Sequence, residues 1–511
     1  MAVHLPQDFV ESMHELFTEA KMLSEWDAFL QGFSNKWKRA WRLQVAKANP
    51  QNIAEQFASS LEGEHTAEAF LKPVPWSRDG YYIPNNIRLG RSLAYNLGLV
   101  YIQEASAMLP AEVLNVQPGE KILDLCAAPG GKSSQLASHL AGTGLLVSND
   151  IDAARAGILA QNLEQQGFRN SLVTNFDISQ GLPSDWNNYF DGILLDVPCS
   201  GEGMFRRDKQ AIQSWIDYGP ESIRATQDQL LENAANLLLP GGRIVYSTCT
   251  LNTLENEEVV LNFLNNHPEF TLENPRDYLS STEGLRPGLV VDANYPELEQ
   301  AVRIWPQYGA GEGHFAALLV KREEASDLEP IRSKTKNKKK LNKQARSNQN
   351  SISIGQALEV WTDFGHKYIN DEYLEQVLVK DKQRYQIDNE KLYLLPQEHP
   401  SLDGIRVIKH ALHVGDIRRK GKRYSFSPSR NLIMQNNIDI WKYKLEISVN
   451  DARLSSILRG ETLVLTNSET IALHEVPNQA YIVLYVNNLA LTWMMKNSGT
   501  LKNLYPKNLL R

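Results

Sequence analysis

Short apolar runs alternate with amphipathic stretches over residues 85–322, and no other feature of the 511-residue chain constrains its fold as strongly. The runs EKILDLCA, GLLVSND, DGILLDVP and GGRIVYSTC are typical of buried strands, and AARAGILAQNLEQQG and ESIRATQDQLLENAANLL are typical of helices. This alternation predicts an α/β fold with a doubly wound parallel sheet that helices cover on both faces. Ligands of such sheets bind at the carboxyl ends of the strands, so the residues that follow each strand are candidates for chemistry.

The flanking segments divide the chain into further units. PQDFVESMHELF and SEWDAFLQGF near the start have the spacing of amphipathic helices, and ETLVLT and AYIVLYV near the end are typical of strands. Between residues 331 and 350 lie eight Lys or Arg and no acid, a composition that cannot bury a core and indicates a linker. We expect five units: an N-terminal domain 1–85, a catalytic domain 86–322, a basic linker 323–352, an intermediate C-terminal domain 353–435 and a last domain 436–511.

Composition excludes several classes of protein. The chain has no apolar run long enough to span a membrane and no basic-then-apolar segment at its start, so we expect a cytoplasmic protein without membrane association. Its three cysteines form no C-x-x-C pair, which argues against disulfides and structural zinc, and we expect no metal. The formal net charge of −7 gives no global sign of nucleic-acid binding, so any such sign must come from local patches.

A candidate cofactor site begins at DLCAAPGGKSSQL, a glycine-containing turn that follows a strand and opens a helix. Such a turn lets the backbone approach a ligand and offers free N–H groups. Asp150, Asp177 and Asp196 end the next three strands, where carboxylates can bind hydroxyls and amines. The turn lacks the Walker spacing, and a row of acids suits a pyrophosphate poorly. S-adenosylmethionine, which has a ribose and a sulfonium but no phosphate, therefore fits better than NAD or ATP.

Two of the three cysteines follow ends of strands that should be neighbours. Cys199 stands in LLDVPCSGEGMFRRD and Cys249 in VYSTCTL, so we expect both thiols to face one cleft. A thiolate can add to carbon 6 of a pyrimidine and activate carbon 5 for methylation. Asp196 is then the candidate that stabilises the ring; it would be protonated or share a proton, and its pKa would be raised. Cys126, inside the turn, is expected to shape the backbone only. Spacing alone does not decide which of the other two thiols attacks.

The motifs together closely resemble those of the NOP/Sun family of RNA cytosine-5 methyltransferases. The resemblance rests on YIQEASAMLPAEVL, DLCAAPGGKSSQL, LLDVPCSGEGMFRRD, VYSTCTLNTLENEEVV and RIWPQYGAGEGHFAALL, and it is most specific over residues 101–320. The terminal TLKNLYPKNLLR resembles the bacterial RsmF-type branch that modifies 16S ribosomal RNA. One departure is Thr492-Trp493, where the family usually has Gly-Trp.

The resemblance implies a Rossmann-like methyltransferase sheet between a small N-terminal α+β domain, similar to RNA-recognition domains, and a C-terminal PUA-like RNA-binding module. It implies that Cys249 is the nucleophile and that Cys199 releases the product. It also assigns S-adenosylmethionine contacts to one loop and three strand-end acids: Cys126, Ala127, Ala128, Pro129, Gly130, Gly131, Lys132, Asp150, Asp177 and Asp196.

With RNA as substrate, several basic segments become candidate phosphate contacts. They are the linker, the RRKGKR run at 418–423 and five side chains: Lys38, Arg39, Arg42, Arg206 and Arg207. In NKWKRAWRLQVAK the cations alternate with Trp37 and Trp41, which indicates either base stacking or a solvated element with buried indoles. A paired cytosine must leave its stem to reach both thiols.

We therefore expect 5-methylcytosine formation in 16S ribosomal RNA, naked or in the 30S subunit, by a monomeric enzyme that does not act on DNA. The same motifs allow a tRNA or 23S substrate. A third alternative is a non-catalytic RNA-binding assembly factor that has kept the cofactor fold, although intact Asp196, Cys199 and Cys249 count against it. A DNA methyltransferase is disfavoured by the Thr-Cys motif and the basic C-terminal module.

Overall fold

The computed structural model of the chain describes residues 4–60, 66–84, 87–323, 352–421, 423–434 and 440–507. The predicted basic linker falls outside these ranges at residues 324–351, so it stays a prediction. The α-helices of the described residues are α1 (Gln7–Glu19), α2 (Trp26–Gly32), α3 (Pro50–Ser60), α4 (Leu93–Asn96), α5 (Leu109–Leu114), α6 (Gly131–His139), α7 (Ala153–Gln166), α8 (Lys209–Tyr218), α9 (Glu221–Leu237), α10 (Glu257–Asn266), α11 (Ile354–Tyr368), α12 (Leu374–Val377), α13 (Leu454–Leu458) and α14 (Asn467–Ala472). The strands are β1 (Arg39–Leu43), β2 (Gly80–Tyr82), β3 (Val100–Glu104), β4 (Lys121–Asp124), β5 (Leu145–Asn149), β6 (Ser171–Asn175), β7 (Phe190–Asp196), β8 (Leu238–Thr248), β9 (Phe270–Glu273), β10 (Leu285–Pro287), β11 (Val302–Ile304), β12 (His314–Lys321), β13 (Tyr385–Asp388), β14 (Lys391–Leu394), β15 (Arg406–His410), β16 (Leu412–Lys420), β17 (Arg423–Pro428), β18 (Lys444–Ile447), β19 (Leu463–Val464), β20 (Tyr481–Val486), β21 (Leu489–Asn497) and β22 (Thr500–Asn503).

A ten-stranded sheet forms the centre of the molecule, in the order β10-β11-β12-β8-β7-β4-β5-β6-β15, with β9 paired to β12. Strands β4 to β8 run parallel, and β12 is antiparallel to β8. Successive side chains point to opposite faces, so Leu194 packs with α5 to α7 while Leu195 packs with α9 and α10. The predicted parallel sheet with helices on both faces is confirmed.

The N-terminal region contains a three-stranded antiparallel sheet in the order β2-β1-β3. Strand β3 pairs with β1 from Arg39↔Glu104 to Leu43↔Val100, so the predicted boundary at residue 85 would divide this sheet. We therefore propose that the N-terminal unit continues to about residue 104.

The Trp41 indole is fully buried and donates to the Phe70 carbonyl at 3.1 Å, so Trp41 is a core residue and is not available to stack on a base.

Helices α1 and α2 pack against the catalytic domain through aromatic side chains. Phe9 contacts Phe205, which lies six residues after Cys199, with ring centroids 5.0 Å apart. Phe17 and Phe29 contact Trp305 at 5.6 and 6.2 Å. Buried aromatic pairs of this kind stabilise an interface beyond their area. The N-terminal helices therefore hold the loop that carries Cys199.

The region predicted as an intermediate C-terminal domain, residues 353–435, contributes strands to two sheets, and its boundaries stay a prediction. Strand β15 joins the edge of the central sheet beside β6, and its buried Lys409 ammonium donates to the Phe168, Ser171 and Ala411 carbonyls. The order β13-β14-β16-β17 forms a separate four-stranded sheet, and β18-β20-β21-β22-β19 forms a five-stranded sheet within the predicted last domain, whose boundaries stay a prediction. The Thr492-Trp493 pair, which stands where the resembling family usually has Gly-Trp, lies on β21, and the Trp493 indole donates to the Ser429 carbonyl oxygen at 2.8 Å.

Among the described residues, no helix combines the length and the apolar character that a membrane span requires.

Candidate active site

The two cysteines meet where two parallel strands end. Strands β7 and β8 pair with Asp196 opposite Ser247, so the residues that follow them lie side by side. The Sγ atoms of Cys199 and Cys249 are 3.3 Å apart, a hydrogen-bonding distance for sulfur. The expectation that the two thiols lie together is therefore met, but only Cys249 lines the neighbouring cavity, and the separate roles of the thiols stay predictions.

Two buried carboxylates that sequence reasoning missed hold the cysteine loops together. Glu202, in the first loop, accepts from the backbone N–H groups of Leu251 and Asn252 at 2.8 and 2.9 Å. Glu255, in the second, accepts from the Ser200 N–H at 2.9 Å and from the Ser200 hydroxyl. Each carboxylate thus accepts hydrogen bonds from the loop that carries the other cysteine. Burial raises the pKa of Glu255. The only sequence signal was their position beside the cysteines, in GEG and LENEE.

Gly203 allows the closest approach between the loops. Its N–H donates to the Cys249 carbonyl at 2.9 Å. A Cβ atom at this position would lie 2.8 Å from the carbonyl oxygens of both Cys249 and Gly313. No side chain fits there unless the two backbones move apart, so the second glycine of the GEG motif sets the spacing of the thiols.

Asp196 is held as an anion, which contradicts the expected raised pKa. One of its oxygens is 2.8 Å from the Lys132 ammonium, and the other accepts from the Ser247 hydroxyl at 2.8 Å and lies 3.6 Å from His314 Nε2. Burial alone would raise the pKa of Asp196, but Lys132 and His314 together hold it well below its usual range. The sequence could not show that the last residue of the CAAPGGK motif would reach this carboxylate.

Lys132 and Cys249 line the same cavity, and Cys249 contributes to the electrostatics of the Lys132 ammonium. Burial alone would lower the pKa of Lys132, but Asp196 and, less strongly, Cys249 raise it above its usual value. The hydrogen bond with Cys249, together with burial, raises the pKa of Cys199 well above its usual value. Cys199 therefore keeps its proton, and a thiolate at Cys249 would have both this S–H donor and a nearby cation.

A cavity of about 410 Å³ opens beside the thiols. Its wall includes Asp196, Cys249 and six of the seven residues of the predicted loop, Cys126 to Lys132 without Gly130. Asp150 lies behind the loop, where one oxygen accepts from Ala128 N at 3.1 Å, and Asp177 accepts from the Ser179 N–H at 3.0 Å. Neither carboxylate lines the cavity, so their contacts with a cofactor stay predictions. Burial raises the pKa of Cys126, which agrees with a backbone-shaping role.

Asp124 also lines this cavity and was not predicted as a site residue. It is fully buried at the end of β4, and its Oδ2 atom accepts from the Ser133 hydroxyl at 2.6 Å. Its Oδ1 atom has no hydrogen-bond partner within the described part of the chain. Burial raises the pKa of Asp124 to about 7. An unsatisfied buried carboxylate in a cavity wall fits a cationic ligand group such as the ammonium of S-adenosylmethionine.

The five predicted RNA-contact side chains have different environments. Lys38 and Arg207 are exposed, whereas Arg39 is half-buried and donates to the Ile87 carbonyl. Arg206 is half-buried and donates to the Gly32 and Gly311 carbonyls at 3.1 and 2.9 Å. Arg42 is buried and donates to Ser134 Oγ at 2.6 Å, so the prediction that it contacts RNA is wrong. Its charge stabilises the junction between β1 and α6.

Comparison with known proteins agrees with this geometry. Family models match residues 5–105 (N-terminal domain of 16S rRNA methyltransferase RsmF), 111–320 (16S rRNA methyltransferase RsmB/F) and 370–435 (RsmF rRNA methyltransferase first C-terminal domain). Ribosomal RNA small subunit methyltransferase F of Shewanella loihica is 32% identical over 86% of this chain and 84% of that protein. The Erwinia tasmaniensis protein of the same name is 34% identical, and its alignment spans 62% of this chain and 64% of that relative.

The crystal structure of the protein PH0851 superposes with a TM-score of 0.52 at 26% identity, over 62% of this chain and 66% of that one. The sheet, the cavity and these matches define the chain as a Rossmann-like, S-adenosylmethionine-dependent methyltransferase. More narrowly, it belongs to the RsmF family of 16S rRNA methyltransferases.

Gly203→Ala should separate the cysteine loops. We expect the methyl-transfer rate to fall about 100-fold, because a displacement near 1 Å at reacting groups has an effect of that size. The matched control is Gly157→Ala on α7, where the added Cβ meets no atom within 4 Å and the activity should not change. Rates within a factor of two of the unchanged protein for Gly203→Ala would contradict this account of the spacing.

Asp124→Asn should change how stability depends on pH. The carboxyl titrates near 7 in the folded chain against 3.8 in its unperturbed state, so between these values the folded state binds more protons and stability falls as pH rises. The isosteric amide does not titrate. We expect urea denaturation without cofactor to show a loss between pH 5 and pH 8 that is about 2–3 kcal/mol smaller in the variant. Superimposable pH profiles would contradict the raised pKa.

Proposed function

We propose that this chain transfers a methyl group from S-adenosylmethionine to carbon 5 of a cytosine in 16S ribosomal RNA, through a covalent bond between Cys249 and the base. The observation that carries the proposal is the pair of thiols 3.3 Å apart beside the Lys132–Asp196 ion pair. Methylation of an exocyclic amine needs no thiol, whereas carbon 5 is a poor nucleophile until a group adds at carbon 6.

Cys249 is the better candidate for that addition. Cys199 keeps its proton because its pKa is raised, and it can donate its S–H to Cys249. Lys132 is close enough for Cys249 to raise its pKa, so a thiolate at Cys249 lies in a favourable field. The Cys249 sulfur forms a bond to carbon 6, and the electron pair of the C5–C6 double bond becomes available at carbon 5. The bound cofactor supplies an electrophilic methyl group.

Asp196 has a different role from the one that sequence reasoning gave it. An ionised carboxylate cannot donate a proton to the ring, but it can accept a hydrogen bond from the exocyclic amine of cytosine. Uracil has a carbonyl at the same position, so Asp196 would favour cytosine. The Lys132 ammonium, 2.8 Å from Asp196, is the charge available to stabilise electron density that develops on the ring.

We assign Cys199 to product release. Transfer of the carbon 5 proton to a water molecule restores the C5–C6 double bond and expels the Cys249 thiolate, to which the Cys199 S–H can donate a hydrogen bond. Cys199 is the thiol adjacent to that sulfur, and its loop is fixed to the Cys249 loop by Glu202 and Glu255. The catalytic residues of the proposal are therefore Cys249, Cys199, Asp196 and Lys132.

The family support for 16S ribosomal RNA comes from the names of the relatives. A cytosine in a stem would have to be flipped into the cleft.

A tRNA or 23S substrate remains the alternative within the same chemistry. The naked RNA and the 30S subunit are both candidate forms of the substrate, and a monomeric, cytoplasmic enzyme without DNA or membrane partners completes the proposal.

Cysteine variants separate the two roles. We expect Cys199→Ala, mixed with cofactor and RNA, to accumulate a protein–RNA adduct that survives a denaturing gel, because addition proceeds and release does not. Cys249→Ala should give neither adduct nor methylation. The double variant is the background control. An adduct from Cys249→Ala but none from Cys199→Ala would exchange the two assignments.

Substrate choice can be measured directly. Unmethylated 16S RNA, 30S subunits, 23S RNA and tRNA are each incubated with the enzyme and read by bisulfite sequencing. We expect a new 5-methylcytosine in 16S RNA or in the 30S subunit only. A modified site in tRNA or 23S RNA with unchanged 16S RNA would contradict the proposed substrate.

A further inference from the structure

A second cleft, of about 550 Å³, lies between the N-terminal sheet and the catalytic domain. Its walls come from the segment before β2 on one side and from residues 280–310 on the other. They carry two lysines, Lys38 and Lys72, and two tyrosines, Tyr82 and Tyr308. The family comparisons and the cysteine chemistry leave this cleft without a role.

The two lysines line one cleft, and neither has a carboxylate partner among the described residues. Within the described residues, no carboxylate lies within the 4.0 Å of an ion pair from either ammonium group. Partial burial, together with the charges of Lys72 and Arg206, lowers the pKa of Lys38. Glu283 is the carboxylate on the cleft wall that opposes this effect, at a longer range. Crowded cations of this kind are stabilised by a bound anion.

The geometry also fixes the position of Lys38. Its ammonium lies over the Tyr82 ring, 5.3 Å from the centroid, and the Tyr82 hydroxyl donates to the Ala310 carbonyl at 2.6 Å across the cleft. Cation–π contact and the anchored ring keep the lysine at the mouth of the cleft, although its side chain is exposed. A positioned cation suits a polyanion better than a freely moving one does.

A continuous path joins this cleft to the cysteine cavity. Arg207 lines the cysteine cavity, and its guanidinium is 5.8 Å from the centroid of the Trp37 ring. Trp37 is half-exposed and directly precedes Lys38 in the chain, and Arg39 contacts its ring at 6.0 Å. Cations that alternate with an accessible aromatic ring are the composition of a single-stranded nucleic-acid path.

We propose that Lys38 and Lys72 bind the phosphodiester backbone of the RNA strand that flanks the target nucleotide, and that a neighbouring base stacks on Trp37. The inference rests on the proposed function, because it takes RNA as the substrate. It adds where the strand leaves the active site: past Arg207 and Trp37, and into the cleft beneath the N-terminal sheet.

The test compares the unchanged chain with Lys38→Gln/Lys72→Gln. Lys21→Gln/Lys380→Gln is the matched control, since both of its residues are exposed and line neither cavity. Affinity for a 16S fragment is measured without cofactor at several salt concentrations. Each lost single-strand phosphate contact should reduce the slope of log affinity against log salt by about 0.7. We expect a reduction of about 1.4 and an affinity about tenfold lower near 0.15 M salt, with the control unchanged.

Three further measurements separate this inference from a folding defect and from the proposed function. Affinity for S-adenosylmethionine should stay unchanged in the cleft variant, and Lys38→Arg/Lys72→Arg should restore the salt slope. At saturating RNA the variant should keep its kcat while KM for RNA rises about tenfold. A salt slope and KM equal to those of the control would overturn the inference. Absence of methylation by the unchanged chain, with the slope difference still present, would overturn the proposed function alone.

Discussion

The parallel pairing of β7 with β8 is the interaction on which the site depends. It places Asp196 opposite Ser247, so the two cysteine loops leave the sheet at the same edge and at the same height. Glu202 and Glu255 then fix each loop to the other, and Gly203 allows the final approach. The 3.3 Å between the thiols is thus a property of strand register and of buried hydrogen bonds, neither of which involves a substrate.

Residues of the same type in this site differ in their electrostatic environment, which the sequence does not show. Asp124 and Asp196 both end strands beside the same cavity, yet burial raises the pKa of the first to about 7 while Lys132 lowers that of the second. The two thiols also differ in environment: the hydrogen bond with Cys249 and burial raise the pKa of Cys199, whereas Cys249 lines the same cavity as Lys132. The half-buried Lys132 ammonium, in the first turn of α6, is therefore held in the site by its ion pair with Asp196.

Sequence reasoning predicted what depends on chain order and periodicity. The parallel sheet, the proximity of Cys199 to Cys249 and the position of the CAAPGGK loop in a cavity wall follow from strand ends, which a sequence marks clearly. It failed where the outcome depends on contacts between distant segments. A sequence shows that Arg42 is charged, but not that it is buried and bonded to Ser134, which lies 92 residues further along the chain. It also cannot show that Lys132 forms an ion pair with Asp196 and keeps that carboxyl ionised. The addition of β15 to the central sheet is a long-range pairing of the same kind.

The central claim is that Cys249 forms the bond to the base. The most direct measurement uses RNA in which the target cytidine carries fluorine at carbon 5, which cannot leave as a proton does, so the covalent complex of the unchanged enzyme persists. Digestion followed by mass spectrometry of the cross-linked peptide then identifies the sulfur. The account predicts the nucleotide on the peptide that contains Cys249, and a nucleotide on the peptide that contains Cys199 would contradict it.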